Sequence, residues 1–269
     1  AAVIGSGPAG LGAVFELITH GWLVDLYEKS KTLGGAVRLI PEYRLPKSVL
    51  NTEISRLTEN NRVTVHLNSA ITDFDSLKTR YDGIILAMGE PLPHSLGIKG
   101  EEHCISYKDY LSNPENYIHP KICVCGGGEV ALDCALTAAS QNAEVEMFVR
   151  RRREDMRIMA RDQKELDEKG ITVRALTSIT EINKTGNACC LTAVTNEITP
   201  EGKAIRCEGT ECTLEGYDLV IQALGSYFPK ENIPAGFILA GDMTGETGTV
   251  VQALASGKAA ARKLISPEQ

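Results

Sequence analysis

Ala1-Ala2-Val3-Ile4-Gly5-Ser6-Gly7-Pro8-Ala9-Gly10 and Lys121-Ile122-Cys123-Val124-Cys125-Gly126-Gly127-Gly128-Glu129-Val130-Ala131 follow one pattern, an apolar run that breaks into glycines and continues as helix-forming sequence. The first helical segment runs to about His20 and leads into the strand Leu23–Glu28. The second runs to about Gln141 and leads into Val145–Val149. Apolar runs alternating with amphipathic stretches of about a dozen residues predict βαβ units around a parallel sheet. Two such starts in one chain predict an α/β protein with two Rossmann-like, three-layer domains, each built to hold a dinucleotide.

The residue types follow from the chemistry. In each turn the first glycine allows the sharp strand-to-helix reversal, and the second leaves no Cβ in the way of a pyrophosphate. The third, or an alanine, lets helix and strand pack closely, and the phosphates meet the positive end of the helix. The two copies diverge 23 residues after their first glycine: from Gly5 this offset reaches the carboxylate of Glu28, from Gly126 it reaches Val149 followed by Arg150-Arg151-Arg152-Arg153. A carboxylate accepts ribose hydroxyls, whereas guanidinium groups bind a 2′-phosphate that a carboxylate would repel. The second site is therefore expected to take NADPH in preference to NADH, the alternative being a solvated arginine run.

The 269 residues carry 28 Lys+Arg against 35 Asp+Glu, a net charge of -7, which disfavours nonspecific binding to nucleic acid or an anionic membrane. No apolar run is long enough for a membrane span and no signal peptide is legible, so a cytoplasmic location is the default expectation. The eight cysteines are scattered without a CxxC, and together with the five histidines they show no metal-ligand spacing, so no metal site is expected. Ala1 is not Met and already opens a strand, which suggests a longer parent chain.

The first pattern with Glu28, the Gly34-Gly35 doublet, the string Ile40-Pro41-Glu42-Tyr43-Arg44-Leu45-Pro46-Lys47 and the second pattern followed by Arg150-Arg151 together resemble the small subunit of NADPH-dependent glutamate synthase. Its relatives include the flavin half of dihydropyrimidine dehydrogenase and ferredoxin:NADP reductases. The resemblance extends through Leu264, and the IPEYRLPK string is its most specific part. It implies that the first pattern binds FAD, through Gly5, Ser6, Gly7, Pro8, Ala9, Gly10, Glu28 and Lys29, with Gly34, Gly35, Arg38 and Arg44 nearby. A late segment, Phe237–Asp242, would close over the flavin, with Gly241 and Asp242 near the ribityl or pyrophosphate group and Thr249 and Val250 opening the last helix at the pyrimidine edge. Ala87, Met88 and Gly89 stand where the family usually carries Ala-Thr-Gly, so Met88 departs from it. NADPH would lie on Gly126, Gly127, Gly128, Glu129 and Val130, with Arg150, Arg151, Ala223 and Gly225.

The expected organisation is an FAD domain of residues 1–95 plus 226–269, an NADPH domain of residues 110–225 inserted in it, and crossings at 96–109 and 225–230. The segment between Gly225 and Phe237 is short for the family. The expected reaction is hydride transfer from NADPH to FAD, with electrons passed on to an iron-sulfur or large-subunit-like protein or domain. It needs no general acid or base. Iron-sulfur clusters are expected only in a region before Ala1 or on a partner. A dithiol enzyme of the thioredoxin reductase kind is disfavoured, because Cys134 stands alone in the second helix. The competing reading is an FAD-binding scaffold or redox sensor with a vestigial NADPH site.

Overall fold

A computed structural model describes residues 1–90, 92–186, 188–229, 236–245 and 248–266. The chain divides into two compact units, Ala1–Leu92 with Ser226–Gln269, and Pro93–Gly225. Part of the short segment before Phe237, residues 230–235, lies outside the described residues.

The first unit opens with β1 (Ala2–Ile4), α1 (Pro8–Thr19), β2 (Val24–Tyr27), α2 (Lys47–Thr58), β3 (Val63–His66), α3 (Asp75–Lys78) and β4 (Ile84–Leu86). The chain then runs through β5 (Leu92–Pro93), β6 (Ile105–Ser106), α4 (Tyr107–Ser112), β7 (Lys121–Cys125), α5 (Glu129–Ser140), β8 (Glu144–Val149), α6 (Ala160–Glu168) and β9 (Thr172–Ala175). An antiparallel section follows, β10 (Thr177–Thr185), β11 (Ala188–Ile198), β12 (Ala204–Arg206) and β13 (Cys212–Tyr217). The chain ends with β14 (Leu219–Gln222), β15 (Ser226–Tyr227), β16 (Ile238–Leu239) and α7 (Val250–Ile265).

Each unit holds a five-stranded parallel sheet, ordered β16-β4-β1-β2-β3 in the first and β6-β14-β7-β8-β9 in the second. In both, the strand that leads into the glycines is the middle one. Such a strand is covered on both faces, which is why β1 and β4 are buried at every residue and read as continuous apolar runs. One face of the first sheet packs against α1 and α7 through Val3, Val14, Leu17, Leu26, Ile85 and Ala261. Burial of a side chain such as the fully buried Leu17 contributes about 2 kcal/mol. The other face carries Tyr27, Leu77, Leu86 and Met243.

In the second unit the antiparallel strands supply the third layer: Ile179, Ile182, Leu191, Ala193 and Tyr217 pack onto Cys123, Cys125, Phe148 and Val220 of the parallel sheet. Residues 96–109, expected as a crossing, supply β6 and pack Leu96, Ile98 and Cys104 onto this same core. The thiols of Cys123 and Cys125 lie 3.8 Å apart, well beyond the length of an S–S bond. No helix among the described residues is long and apolar enough to cross a membrane, and none of their His, Cys, Asp and Glu side chains form a group that could hold a metal ion.

Candidate functional site

The first glycine turn is built from residues with separate tasks. Gly5 has φ +101°, and a Cβ there would overlap the Ala87 carbonyl oxygen; one at Gly10 would overlap the carbonyl of Gly5 itself. Both are dictated by close backbone packing. At Gly7 an added Cβ meets nothing within 4 Å. Gly7 also occupies the N-cap of α1 without a side-chain cap, and Pro8 at the first helical position has no N–H to leave unpaired. The turn therefore offers open space against the positive end of a helix, with no packing reason for glycine at its centre.

The remaining elements of this unit converge on the turn. The Gly34 N–H donates to the Ser6 hydroxyl and carbonyl oxygens, each at 3.1 Å, and a Cβ at Gly35 would lie 2.9 Å from the Gly7 Cα. From the other side, a Cβ at Gly241 would lie 2.7 Å from the Ala9 Cβ, while the Gly241 N–H donates to Ser256 of α7 at 2.9 Å. Met88 sits just past the Ala87 carbonyl, where it packs against the apolar cluster on the second face of the sheet. The segment Ile40–Lys47 is tied to itself, because the Lys47 ammonium donates to the Ile40 carbonyl and the Glu42 carboxylate accepts the Lys47 N–H at the start of α2. Arg38 donates to the Leu33 carbonyl and, at 2.9 Å, to Asn51 of α2.

Glu28 is buried at the end of β2. One of its oxygens accepts the N–H (3.0 Å) and hydroxyl (2.6 Å) of Ser6, the other the N–H (2.8 Å) and hydroxyl (2.6 Å) of Ser30. Burial pushes the carboxyl pKa up, but the hydrogen bonds from Ser30 and Ser6 outweigh burial and hold it below the ordinary value. All four lone-pair positions are thus used by the chain. A ribose hydroxyl can be accepted only by exchange, and the rotatable Ser30 hydroxyl is the donor most easily turned away. Asp242 shows the opposite balance: it is half-buried, burial raises its carboxyl pKa, and the single opposing contact is the Gly248 N–H. Thr249 caps α7, its hydroxyl accepting from the Gln252 N–H at 3.3 Å while Gln252 accepts the Thr249 N–H at 2.8 Å. This reciprocal cap leaves the N–H groups of Val250 and Val251 as the unclaimed donors of the helix start.

The second turn, in the other unit, has the same build. Gly126 has φ +144° and faces the Ala223 carbonyl, with no room for a Cβ. Gly127 backs onto Val149, whose side chain would lie 2.8 Å from an added Cβ, whereas Gly128 meets nothing within 4 Å and opens α5 without a side-chain cap. Glu129 stands in the first turn of that helix and is followed by Val130. Arg150 is exposed and Arg151 half-buried, and neither they nor Arg152 form an ion pair with a described residue. Arg153, by contrast, is held by Asp167 at 2.6 Å and the Gln163 carbonyl at 3.2 Å, so it belongs to the packing of α6.

The structure adds a residue that no spacing in the sequence marks. After the arginine run the chain folds back, the Arg157 N–H donates to the Gly127 carbonyl at 3.0 Å, and Arg157 pairs with Gly128 in a parallel bridge. The Arg157 backbone thus lies beside the open glycine, and its side chain is exposed and forms no ion pair with a described residue. Its stretch is irregular and lacks periodicity, and the fold-back alone reveals it.

Both turns fit a dinucleotide, because each holds an open Cα at an uncapped helix start. The comparisons with known proteins agree with this geometry. Residues 1–236 match the family model described as pyridine nucleotide-disulphide oxidoreductase. The chain is 29% identical over 246 residues to the NADP(+)-dependent formate dehydrogenase subunit beta of Moorella thermoacetica, covering 83% of this chain and 34% of that protein. It is 28% identical over 267 residues to the glutamate synthase [NADPH] small chain of Azospirillum brasilense, covering 87% of this chain and 54% of the relative. The chain therefore spans about a third to a half of the length of these relatives. FprA of Mycobacterium tuberculosis, solved in complex with NADPH, shares the fold over 98% of this chain and 83% of its own, with a TM-score of 0.84 at 18% identity. FAD and NADPH are the cofactors this kinship implies, and the sequence resemblance to the glutamate synthase small subunit agrees with it. With the family model covering most of its length, the chain belongs to the pyridine nucleotide-disulphide oxidoreductase family.

Proposed function

We propose that the chain is an FAD-dependent oxidoreductase module that takes a hydride from NADPH and passes electrons to a redox partner, an iron-sulfur or large-subunit-like protein or domain. The observation that carries this reading is the repeated turn, with Gly7 and Gly128 each open at the head of a helix in separate compact units. When bound, NADPH supplies the hydride and FAD accepts it and can release its electrons singly, which couples a two-electron donor to one-electron carriers.

The chain's own residues bind and orient. In the first unit the turn Gly5–Gly10 would take the FAD pyrophosphate, Glu28 the ribose and Lys29 the solvent edge, with Gly34, Gly35, Arg38 and Arg44 alongside. Ala87, Met88 and Gly89 would line the strand end, Gly241 and Asp242 would lie near the ribityl or pyrophosphate group, and Thr249 and Val250 would present the α7 N-terminus to the flavin. A helix start there favours the extra negative charge of a reduced flavin. In the second unit Gly126–Val130 would take the NADPH pyrophosphate, with Ala223 and Gly225 on the neighbouring strand end. Arg150 and Arg151, joined by Arg157, would hold the 2′-phosphate. Cys134 is fully buried in α5 and has no second thiol at the CxxC spacing, so the module moves electrons without a dithiol relay.

Anaerobic addition of NADPH to the flavin-loaded protein tests the reading directly: the flavin absorbance bleaches, and a yellow protein inert to NADPH refutes it. The double variant Arg150→Ala/Arg151→Ala raises KM for NADPH by about 10- to 100-fold, the loss of one or two charge-assisted contacts, and leaves KM for NADH nearly unchanged. Equal use of NADPH and NADH by the unaltered protein contradicts the assigned preference.

A further inference from the structure

Asn196 lies in β11 and is 2% exposed, one of few buried polar side chains in the chain. Its side-chain amide donates to the Arg150 carbonyl at 3.0 Å and to the Ser178 hydroxyl at 2.9 Å. Its backbone N–H donates at 2.7 Å to the carbonyl of Leu176, and the Leu176 N–H donates at 2.9 Å to the carbonyl of Arg151. Both carbonyls of the Arg150–Arg151 pair are therefore held from β11, one directly and one through a single intervening residue. Leu176 is itself in a left-handed conformation, φ +51°, which a leucine adopts only where its surroundings impose it. Two residues beyond Asn196, where the strand ends, Ile198 and the following Thr199 and Pro200 line a cavity of about 420 Å³ together with Arg151, Arg152 and Asp155.

Arg150 and Arg151 follow directly on β8, and their side chains are long and exposed or half-exposed. A fork of hydrogen-bond donors recognises a phosphate only when its base is held in a fixed direction, since otherwise the order must be created on binding. No bond within β8 can supply this, because the strand ends at Val149. We propose that Asn196 is a positioning residue for pyridine-nucleotide selectivity: through the Arg150 carbonyl and the Leu176 bridge it sets the direction of the Arg150–Arg151 pair, with the β11–β12 turn as the outer wall of the pocket for the phosphorylated ribose. The inference rests on the assignment of NADPH to the second turn and names the element that makes the site selective. The amide suits this task because it supplies one donor to each of two acceptors at fixed separation, which an apolar residue of equal size cannot do.

The test uses the full chain and two nucleotide fragments that differ only at the 2′ position, 2′,5′-ADP and 5′-AMP, titrated calorimetrically, so that neither flavin content nor turnover enters. In Asn196→Leu, which keeps the volume and removes both donors, the preference for 2′,5′-ADP over 5′-AMP falls about tenfold, the size of one charge-assisted contact. Asn196→Asp keeps the shape but presents acceptors to the Arg150 carbonyl, and is expected to lose the same preference should the leucine variant fail to fold. In steady state the effect falls on KM for NADPH more than on kcat, a split that general loosening of the fold does not produce. A folded variant of either kind that keeps the full 2′,5′-ADP preference overturns the inference. An unaltered chain with no preference between the fragments overturns the NADPH assignment itself, and the two failures are told apart by the unaltered protein alone.

Discussion

Gly7 and Gly10 stand in one turn, yet a methyl group at Gly10 would overlap the Gly5 carbonyl whereas one at Gly7 meets nothing within 4 Å. Gly10→Ala is accordingly expected to lower the melting temperature of the flavin-free protein. Gly7→Val is expected to leave that temperature within the spread of surface variants while flavin content falls to background, read as flavin absorbance per mole of protein. A Gly7→Val protein that keeps its flavin would remove this turn from the cofactor site. Two acids of this unit, buried Glu28 and half-buried Asp242, make opposite contributions with pH. Glu28 has a folded pKa below its ordinary 4.5, so it stabilises the fold above that pH, and the stability is lost as pH falls toward the lower folded value. Asp242 has a folded pKa above its ordinary 3.8, so its contribution is present below 3.8 and lost as pH rises through the folded value. Glu28→Gln should therefore lose stability less steeply than the unaltered protein as pH falls below 4.5, followed by thermal unfolding across an acid pH series. Asp242→Asn should raise the melting temperature of the flavin-free protein at pH 7 and weaken FAD binding. A fall in that temperature would mean that Asp242 is held by more than the contacts seen. Asp242 was legible as an acid at a strand end, but the crowding of Glu28 by two serines was not, since Ser6 and Glu28 meet across 22 positions of sequence.

Among the elements, α1 and α7 cross with their backbones in near contact. An added Cβ at Gly12 would overlap the Leu254 carbonyl and one at Gly257 the Ala9 carbonyl, while buried Glu16 accepts from Arg262 at 2.7 Å. Small residues are required where two helices approach this closely, and the crossing sets Gly257 of α7 against Ala9 in the first glycine turn. Gly257→Val is expected to destabilise the unit by about 3 kcal/mol and to reduce flavin retention with it, followed by thermal unfolding with and without added FAD. Unchanged stability would show that the helices can separate without cost. Both helices were expected, α1 from the helical segment that follows the first glycines and α7 from the family resemblance that opens the last helix at Thr249 and Val250. The antiparallel strands β10–β13 were not. Register shifts between Ile179 and Glu181 and between Cys189 and Leu191 interrupt the alternation that would have announced them.

For the molecule as a whole, the two units differ in how the chain supplies them: Pro93–Gly225 is one continuous segment, whereas the other is made of two. The continuous unit has its own parallel sheet, its own antiparallel layer and a core of Cys123, Phe148, Ile179, Leu191 and Val220. Residues 93–225 expressed alone are expected to unfold cooperatively and to bind 2′,5′-ADP with nearly the affinity of the full chain, checked by circular dichroism and calorimetry. A fragment that melts without a cooperative transition would mean that this core needs the other unit. The first unit allows no such experiment on a single segment, because β16 completes its sheet beside β4 and α7 covers α1.

The sequence by itself determined the two glycine turns, the helices that follow them, the parallel sheets and the charge contrast between Glu28 and the arginine run, because each is written in residues within one βα unit. Tertiary structure alone decided which glycine in each turn is open, that Arg157 returns beside Gly128, that Arg153 is spent on Asp167, and that Asn196 holds Arg150 across 46 positions. The physical reason is one of range. Periodicity and turn chemistry act between near neighbours, whereas the freedom of a Cα or the direction of a guanidinium depends on which distant strand packs against it.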